Sequence, residues 1–237
     1  MKNKKIFWVF IPARSGSKAI KDKNIKKLNN KPLLAHSILS AKKLINVERI
    51  IVSSDSKKYL NIAKKYGCKF LHLRSKKLSG DKTTDLDVFK GYIKDLIKIN
   101  IKLPKFFIHL RPTTPLRNKK ILNKGINLFI KNSKKISAMR SVSLMSNPSY
   151  KTMKISNGKL CSVINNDFNL DKYNRPKEFF PNTYLPNGYI DIIKTSNILR
   201  NKLHGKKVLP YVIEGFNSDI DNKHDYKYVK YKIEKDD

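Results

Sequence analysis

Apolar positions along the chain fall into two periods. Short apolar runs, IFWVFIP (6–12), RIIVSSD (49–55), CKFLHLR (68–74) and KFFIHL (105–110), read as strands, the first two of them buried. Between them PLLAHSILSAKKL, KKYLNIAKKYG and NKKILNKGINLFIKN carry apolar residues at helical spacing, as does the stretch 84–100. Pro32 stands near the start of the first helix and Gly67 at the end of the second, where each is favoured. Residues 5–12 are thus the first strand and 13–24 a Gly/Ser/Lys-rich loop, and KISAMRSV supplies a further strand. Strands alternating with helices of about 10–15 residues predict an α/β fold with a doubly wound, mostly parallel sheet.

The alternation breaks after about residue 142. YKTMKI and KLCSVI have period-two character and flank Asn157-Gly158, a strong hairpin turn. A Pro/Asn/aromatic-rich stretch, 165–187, returns to the strand NGYIDIIKT; VLPYVI is a last strand and 222–234 a closing helix. With no internal repeat and no long linker, residues 1–237 read as one domain with a hairpin lobe inserted at about 143–187. The start, MKNKKIFWVFIPARSGS, imitates a secretory signal, but its apolar core ends at Pro12, short of the usual ~7–15 residues. A buried strand explains it better. No apolar run approaches the ~18–20 residues of a membrane span.

Charge and composition change this picture only in part. The 237 residues are 40% hydrophobic, enough for a core, and carry 52 Lys+Arg against 18 Asp+Glu, a formal charge of +34. Of the basic residues 44 are Lys, spread evenly, and 8 are Arg; a nucleic-acid binder shows a localised patch or Arg interleaved with aromatics. A solvated surface shaped by composition bias is the leading explanation, ahead of steering of an anionic substrate and of nucleic-acid or membrane binding. Each scarce Arg therefore marks a place that needs a planar fork: Arg14, Arg74, Arg111, Arg117, Arg140 and Arg175 fall in loops or at strand ends, whereas Arg49 and Arg200 look incidental. Cys68 and Cys161 are far apart and lack a CxxC or His at ligand spacing, which excludes a zinc site or disulfide framework and suits the cytoplasm.

Ligands of open α/β sheets bind beyond the carboxyl ends of the strands. The first strand delivers Ala13-Arg14-Ser15-Gly16-Ser17-Lys18, then Lys21, Lys23 and Asn24, either a plain turn or a loop whose N–H groups and cations hold phosphate. The second ends in Ser53-Ser54-Asp55 and the third in Arg74, with Leu78-Ser79-Gly80-Asp81 beyond. The fourth runs into LRPTTPLR, whose hydroxyls can cap the next helix whether or not the loop also binds ligand. Near the end stands Ser218-Asp219-Ile220-Asp221. In a strand the two carboxylates would share a face, to pair with lysines or to hold Mg²⁺, which takes a couple of carboxylates plus phosphates and water.

Taken together, IPARSGSKAIKDKNI, IIVSSDS, FLHLRSKKLSGDKTTD, LRPTTPLR, PNGYIDI and SDIDNKHD resemble, in order, the motifs of the bacterial acylneuraminate cytidylyltransferases, the CMP-sialic acid synthetases. The resemblance runs from about Ile6 to Asp225. It is weaker for the enzymes that activate 3-deoxy-manno-octulosonate, which usually carry a QGDEP-like motif in place of RPTTPLR. The resemblance implies a nucleotide-diphospho-sugar transferase-like fold whose inserted lobe makes a homodimer. It implies that CTP and a nine-carbon sugar acid react with the help of Mg²⁺. The loop of Arg14, Ser15, Gly16, Ser17 and Lys18, with Lys23 and Asn24, would hold the triphosphate and ribose, and Arg74 and Asp81, with the strand that holds Ala13, would border cytosine. Arg111, Thr113, Asn187 and Gly188 would line the sugar pocket, joined from the lobe by Lys151 and by Arg175 or Lys177. Asp219 and Asp221 would hold the metal, and Arg14, Lys23 and Asp221 would carry the chemistry.

This chain departs from the family pattern at several positions. Ala19 replaces a usual Gly, Asp85 stands about where a hydroxyl that contacts base or ribose is common, and Arg111 replaces a Gln that contacts the sugar acid. The chemistry needs alignment and charge neutralisation rather than covalent help. No His is required, and His36 and His72 read as structural residues of a helix and a strand. Two rivals come from other classes. A GT-A glycosyltransferase places its acidic pair after a central strand, not in the last fifth of the chain; a basic nucleic-acid-binding protein would form a salt-sensitive complex and release no pyrophosphate.

Overall fold

Strand β1 (Phe7–Pro12) is buried along almost its whole length, as its unbroken apolar run requires. A computed structural model describes residues 5–215 and 219–236; the first four residues of the signal-like stretch and Ser218 lie outside the described residues. A two-residue hairpin, β2 (Lys27–Leu28) and β3 (Lys31–Pro32), leads into α1 (Leu33–Ala41). Then come β4 (Val47–Ser54), α2 (Lys57–Lys65), β5 (Phe70–Leu73), α3 (Asp85–Lys98), β6 (Phe106–His109), α4 (Lys119–Asn132) and β7 (Ala138–Leu144). The hairpin β8 (Met153–Ser156) and β9 (Lys159–Ser162) turns at Asn157 and Gly158, both at positive φ as the Asn-Gly signal demands. The chain closes with β10 (Tyr184–Lys194), α5 (Thr195–Leu199), β11 (Val208–Val212) and α6 (Lys223–Asp236). The small β2–β3 hairpin and α5 carry no pattern long enough to be read in advance.

The seven-stranded sheet has the order β11-β7-β10-β6-β1-β4-β5, parallel except for β10, which runs antiparallel to both its neighbours. Alternate residues of β1 face opposite layers. Phe7, Val9 and Ile11 pack with α1, α2 and α4, while Trp8 and Phe10 pack with α3 and α5. Helices on both faces of a mostly parallel sheet make the fold doubly wound, as expected from the alternation. Because β4 and β6 flank β1 on opposite sides, the chain changes direction there, and the loops after β1, β4, β5 and β6 gather at one edge of the sheet.

Residues 145–183 leave the sheet between β7 and β10 and contain the β8–β9 hairpin. Only a few side chains there, Cys161 and Tyr173 among them, are buried. The segment displays Ile155, Leu160, Phe168 and Phe179 on its surface. Both cysteines are free thiols, each inside the protein.

Candidate active site

At the carboxyl edge of the sheet a crevice of about 280 Å³ opens between the loop after β1, the 74–85 segment and the loop after β6. Arg14, Ser17, Lys23, Asn24, Arg74, Asp81, Arg111 and Thr113 all line it. Residues spread over a hundred positions of sequence therefore share one wall-to-wall space.

The loop after β1 is anchored at its base and open at its tip. Ala13 has its methyl in the core and its N–H on the Ser53 carbonyl (2.8 Å), so it is a structural member of the loop rather than a lining one. Asp55, at the end of β4, accepts from both the Ser15 N–H (2.9 Å) and the Ser15 hydroxyl (2.7 Å). Burial pushes the Asp55 carboxyl up, but these two bonds outweigh it and hold it below the usual carboxylate range. Asn24 donates to the Arg14 carbonyl (2.9 Å), which fixes the backbone that carries the guanidinium. Arg14 reaches Asp81 (3.1 Å) and the Gly80 carbonyl (3.3 Å), and Lys18 meets the same Asp81 carboxylate at 2.5 Å. An added Cβ on Gly16 would touch nothing within 4 Å, so the tip is left free for backbone N–H groups to approach a ligand.

The acidic pair meets this loop directly. Lys23 Nζ donates to the Ile220 carbonyl (2.8 Å) and pairs with Asp221 (3.2 Å). Asp219 and Asp221 are not in a strand; residues 219–221 are irregular, which corrects the expected geometry. What places them is Ile220, fully buried, whose N–H donates to the Thr113 carbonyl (2.8 Å). The two carboxylates thus flank one fixed residue. Asp219 accepts from the Thr114 hydroxyl (3.4 Å), while the Asp221 side chain is 77% exposed.

Arg74 is buried, donates from Nε to Ser79 (2.8 Å) and so holds the 76–80 turn against the crevice. On the opposite wall Arg117 works as an internal brace. It donates to the carbonyls of Tyr189 (2.7 Å), Gly188 (3.2 Å) and Arg111 (2.8 Å) and to the Ser37 hydroxyl (3.0 Å). Burial, joined by the neighbouring Arg111 charge, lowers its pKa to about 9 against the opposing pull of Tyr189, Asp219 and Asp191. Gly188 sits in a bulged part of β10 with φ +66, and a Cβ there would lie 2.8 Å from the Thr114 hydroxyl oxygen. Glycine is therefore required both by conformation and by space.

Arg111 and Asp85, two departures from the family pattern, turn out to be partners at 2.9 Å. The same guanidinium reaches Asp191 of β10 at 3.1 Å. Burial by itself raises the Asp191 carboxyl, but His204, Arg111, His109 and Arg140 around it bring its pKa down to about 2. His109, fully buried beside this group, has its pKa lowered to about 4, first by burial and then by Arg111. Sequence reasoning passed over Asp191 and His109, although a charged or imidazole side chain inside the apolar runs GYIDII and FFIHL was the available signal. Arg49 is not incidental either: its guanidinium lies over Trp8 (4.4 Å) and Phe70 (4.9 Å).

Several other expected residues do not line the crevice: Gly188 and Asp219 stand against Thr114 and Asp221 against Lys23, beside it. The Asn187 side chain donates to Ser143 (2.9 Å) and accepts from the Tyr189 N–H (3.1 Å), so it shapes the bulge that sets Gly188 against Thr114. Lys151, Arg175 and Lys177 sit on the 145–183 excursion, where Lys151 bonds the Arg175 carbonyl (2.9 Å) and none lines the crevice of its own chain.

The family model described as Cytidylyltransferase matches residues 8–141, more than half of the chain. The chain is 33% identical over 219 residues, 92% of its length, to the N-acylneuraminate cytidylyltransferase of Escherichia coli O18:K1:H7, and spans 49% of that longer relative. It is 30% identical to the CMP-N,N'-diacetyllegionaminic acid synthase of Legionella pneumophila over 220 residues, 89% of this chain and 88% of that one. Among solved structures, a CMP:2-keto-3-deoxy-manno-octonic acid synthetase complexed with CTP superposes with a TM-score of 0.70, covering 97% of this chain and 99% of the other at 12% identity, which speaks to fold alone. Matched across strand, loop and helix from β1 to β7, the chain belongs to the cytidylyltransferase family, with the acylneuraminate cytidylyltransferases among its relatives.

Proposed function

We propose that the protein transfers the cytidylyl group of CTP to a nonulosonic, sialic-type acid, with release of pyrophosphate. The observation that carries this reading is the bond between the two ends of the chain: Lys23 of the first loop on Ile220 and Asp221 of the last. A cation loop that opens on the crevice, with an acidic pair held against its Lys23, suits a nucleoside triphosphate whose α-phosphorus is attacked. The anomeric hydroxyl of the sugar acid forms the new O–P bond and gives its proton to water, the bond from the α-phosphorus to the β-phosphate oxygen breaks, and pyrophosphate leaves. Arg14, Lys18 and Lys23 neutralise the charge that grows on the departing group. The Arg74 side of the crevice takes the base, and the Thr113 side, braced from behind by Arg117, takes the sugar acid.

The acidic pair fits Mg²⁺. Its donors are hard carboxylate oxygens, on either side of a residue whose backbone is held by the Thr113 carbonyl. A pair of carboxylates completed by phosphate oxygens and water is the share of ligands this ion takes from nucleotide enzymes. Bound by Asp219 and Asp221, Mg²⁺ would acidify the attacking hydroxyl and offset charge at the α-phosphate.

The exposed apolar face of residues 145–183, with Ile155 77% and Phe179 69% exposed, supports a homodimer formed through this lobe. Such a dimer gives Lys151, Arg175 and Lys177 a route to a crevice that they do not reach within one chain. No helix among the described residues is long and apolar enough to cross a membrane, and two free buried thiols fit a reducing cytoplasm.

Pyrophosphate release from each of the four nucleoside triphosphates, with sialic, legionaminic and pseudaminic acids and 3-deoxy-manno-octulosonate, tests this directly. Release from CTP with one of the nine-carbon acids is expected. Release only with 3-deoxy-manno-octulosonate moves the substrate to an eight-carbon acid; none under any pairing rejects the reading.

A further inference from the structure

Beneath the crevice lies a buried charge cluster that the transfer reaction does not use. Arg111 spends one terminal nitrogen on Asp85, the first residue of α3, and the other on Asp191 of β10. Arg140 Nε lies 3.9 Å from the far oxygen of Asp191, His204 Nε2 lies 3.8 Å from its near one, and His109 Nδ1 is 4.0 Å from Asp85. Asp191 is fully buried, while Asp85 lines the crevice with 36% of its side chain exposed. Among the described residues, seven buried side-chain nitrogen or oxygen atoms find no protein hydrogen-bond partner, and five of them belong to His109, Arg140, Asp191 and His204 of this cluster. Two carboxylates and two guanidiniums cancel, so the cluster as a whole offers no net positive charge to an anion.

Resting on the transferase reading, we propose that Arg111 is a positioning residue, the internal counter-ion of Asp85 and Asp191. This end of the crevice then presents the edge of Asp85, an acceptor, to a neutral hydroxyl or amide N–H of the ligand. It does not present a cation to the ligand's carboxylate. A guanidinium that turned to a substrate carboxylate would leave a buried aspartate without its partner, and a desolvated unpaired charge costs more than a solvated contact returns. The fork geometry supports the same assignment: its two terminal nitrogens are aimed at acids from two different elements, which is how a planar guanidinium fixes their relative position. Arg111 and Asp85 thereby act as one unit, replaced together or not at all.

The test compares the parent, Arg111→Gln and the double variant Arg111→Gln/Asp85→Asn by thermal melting and by kcat and KM for both substrates. Removing the counter-ion alone is expected to lower the melting temperature and to cut kcat/KM about a hundredfold for CTP and sugar acid alike. Neutralising Asp85 as well restores the charge balance, and recovery to within about tenfold of the parent is expected, with most of the melting temperature regained. A rise in KM for the sugar acid alone, at an unchanged melting temperature and with no recovery in the double variant, would make Arg111 the carboxylate receptor and overturn the proposal. So would failure of both variants to fold. If the parent releases no pyrophosphate from CTP, the transferase reading fails, and the melting temperatures still decide whether Arg111 is a counter-ion.

Discussion

The two walls of the crevice hold charge in opposite ways. On the wall of the first loop the ion pairs lie at the rim: Arg14 and Lys18 share Asp81, and Lys23 meets an Asp221 that is 77% exposed. Water competes for Arg14, Lys18, Asp81 and Asp221, so their pairs contribute little to stability, while Lys23 itself is only 13% exposed. On the opposite wall Arg111, Asp191 and His109 are largely withdrawn from water. There a partner cannot be exchanged without stranding a charge. The difference teaches that similar residues are held differently: cations at the rim keep partners they can exchange, whereas those of the inner wall are locked to theirs. Variants on the two sides separate these properties.

The largest expected effect belongs to the rim. Asp221→Asn keeps volume and removes one charge from the acidic pair, so turnover is expected to fall about a thousandfold or more. Melting should stay within about a degree of the parent, because the side chain is mostly in water. Steady-state pyrophosphate release at limiting Mg²⁺, alongside a melting curve, checks both halves; undiminished turnover would remove Asp221 from the chemistry.

On the inner wall the corresponding change acts on stability through pH. His109 has a folded pKa of about 4 against an ordinary 6.5. Above about 6.5 its ring is neutral in both folded and unfolded chains. As pH falls from 6.5 to 4 the unfolded chain binds a proton that the folded one refuses, so the folded state loses on the order of 3 kcal/mol, and below 4 no more is lost. His109→Phe, which preserves a ring against Phe89, should flatten that part of the curve. His36 and His72, also lowered by burial, keep their share of the slope. Urea unfolding at pH 7 and pH 4.5 measures the difference between parent and variant; identical slopes would show that His109 is not the group titrating.

How much of this was legible in the sequence depends on the range of the interaction. The strand β1 and the turn at Asn157-Gly158 declare themselves locally, through an apolar run and a dipeptide that tolerates positive φ. The meeting of Lys23 with Asp221 is 198 residues long-range, yet recognisable motifs marked both ends. Their local geometry was not legible: the acidic pair is set by a backbone bond to Thr113, not by a strand. Arg111 and Asp85 each stood out singly as departures, but nothing in one sequence joins two residues 26 apart. Asn187 shows the converse limit, since a polar residue in a site motif can spend its side chain on the backbone turn that presents its neighbour.

The scarcity of arginine provides the finest test of the rim. Arg14 places a planar fork where 44 lysines elsewhere supply point charges, and its Nη1 already serves both Asp81 and the Gly80 carbonyl. A phosphate that arrives at this loop can be held by two parallel N–H bonds from a guanidinium but by only one direction at a time from an ammonium. Arg14→Lys keeps the charge and removes the fork. It is expected to lower kcat/KM for CTP about tenfold, or about 1.4 kcal/mol of transition-state stabilisation. Because Arg14 is 38% exposed, the melting temperature should not follow. Equal kcat/KM in the two proteins would mean that charge alone matters at this position, and the rim would then be a field of interchangeable cations rather than a shaped receptor.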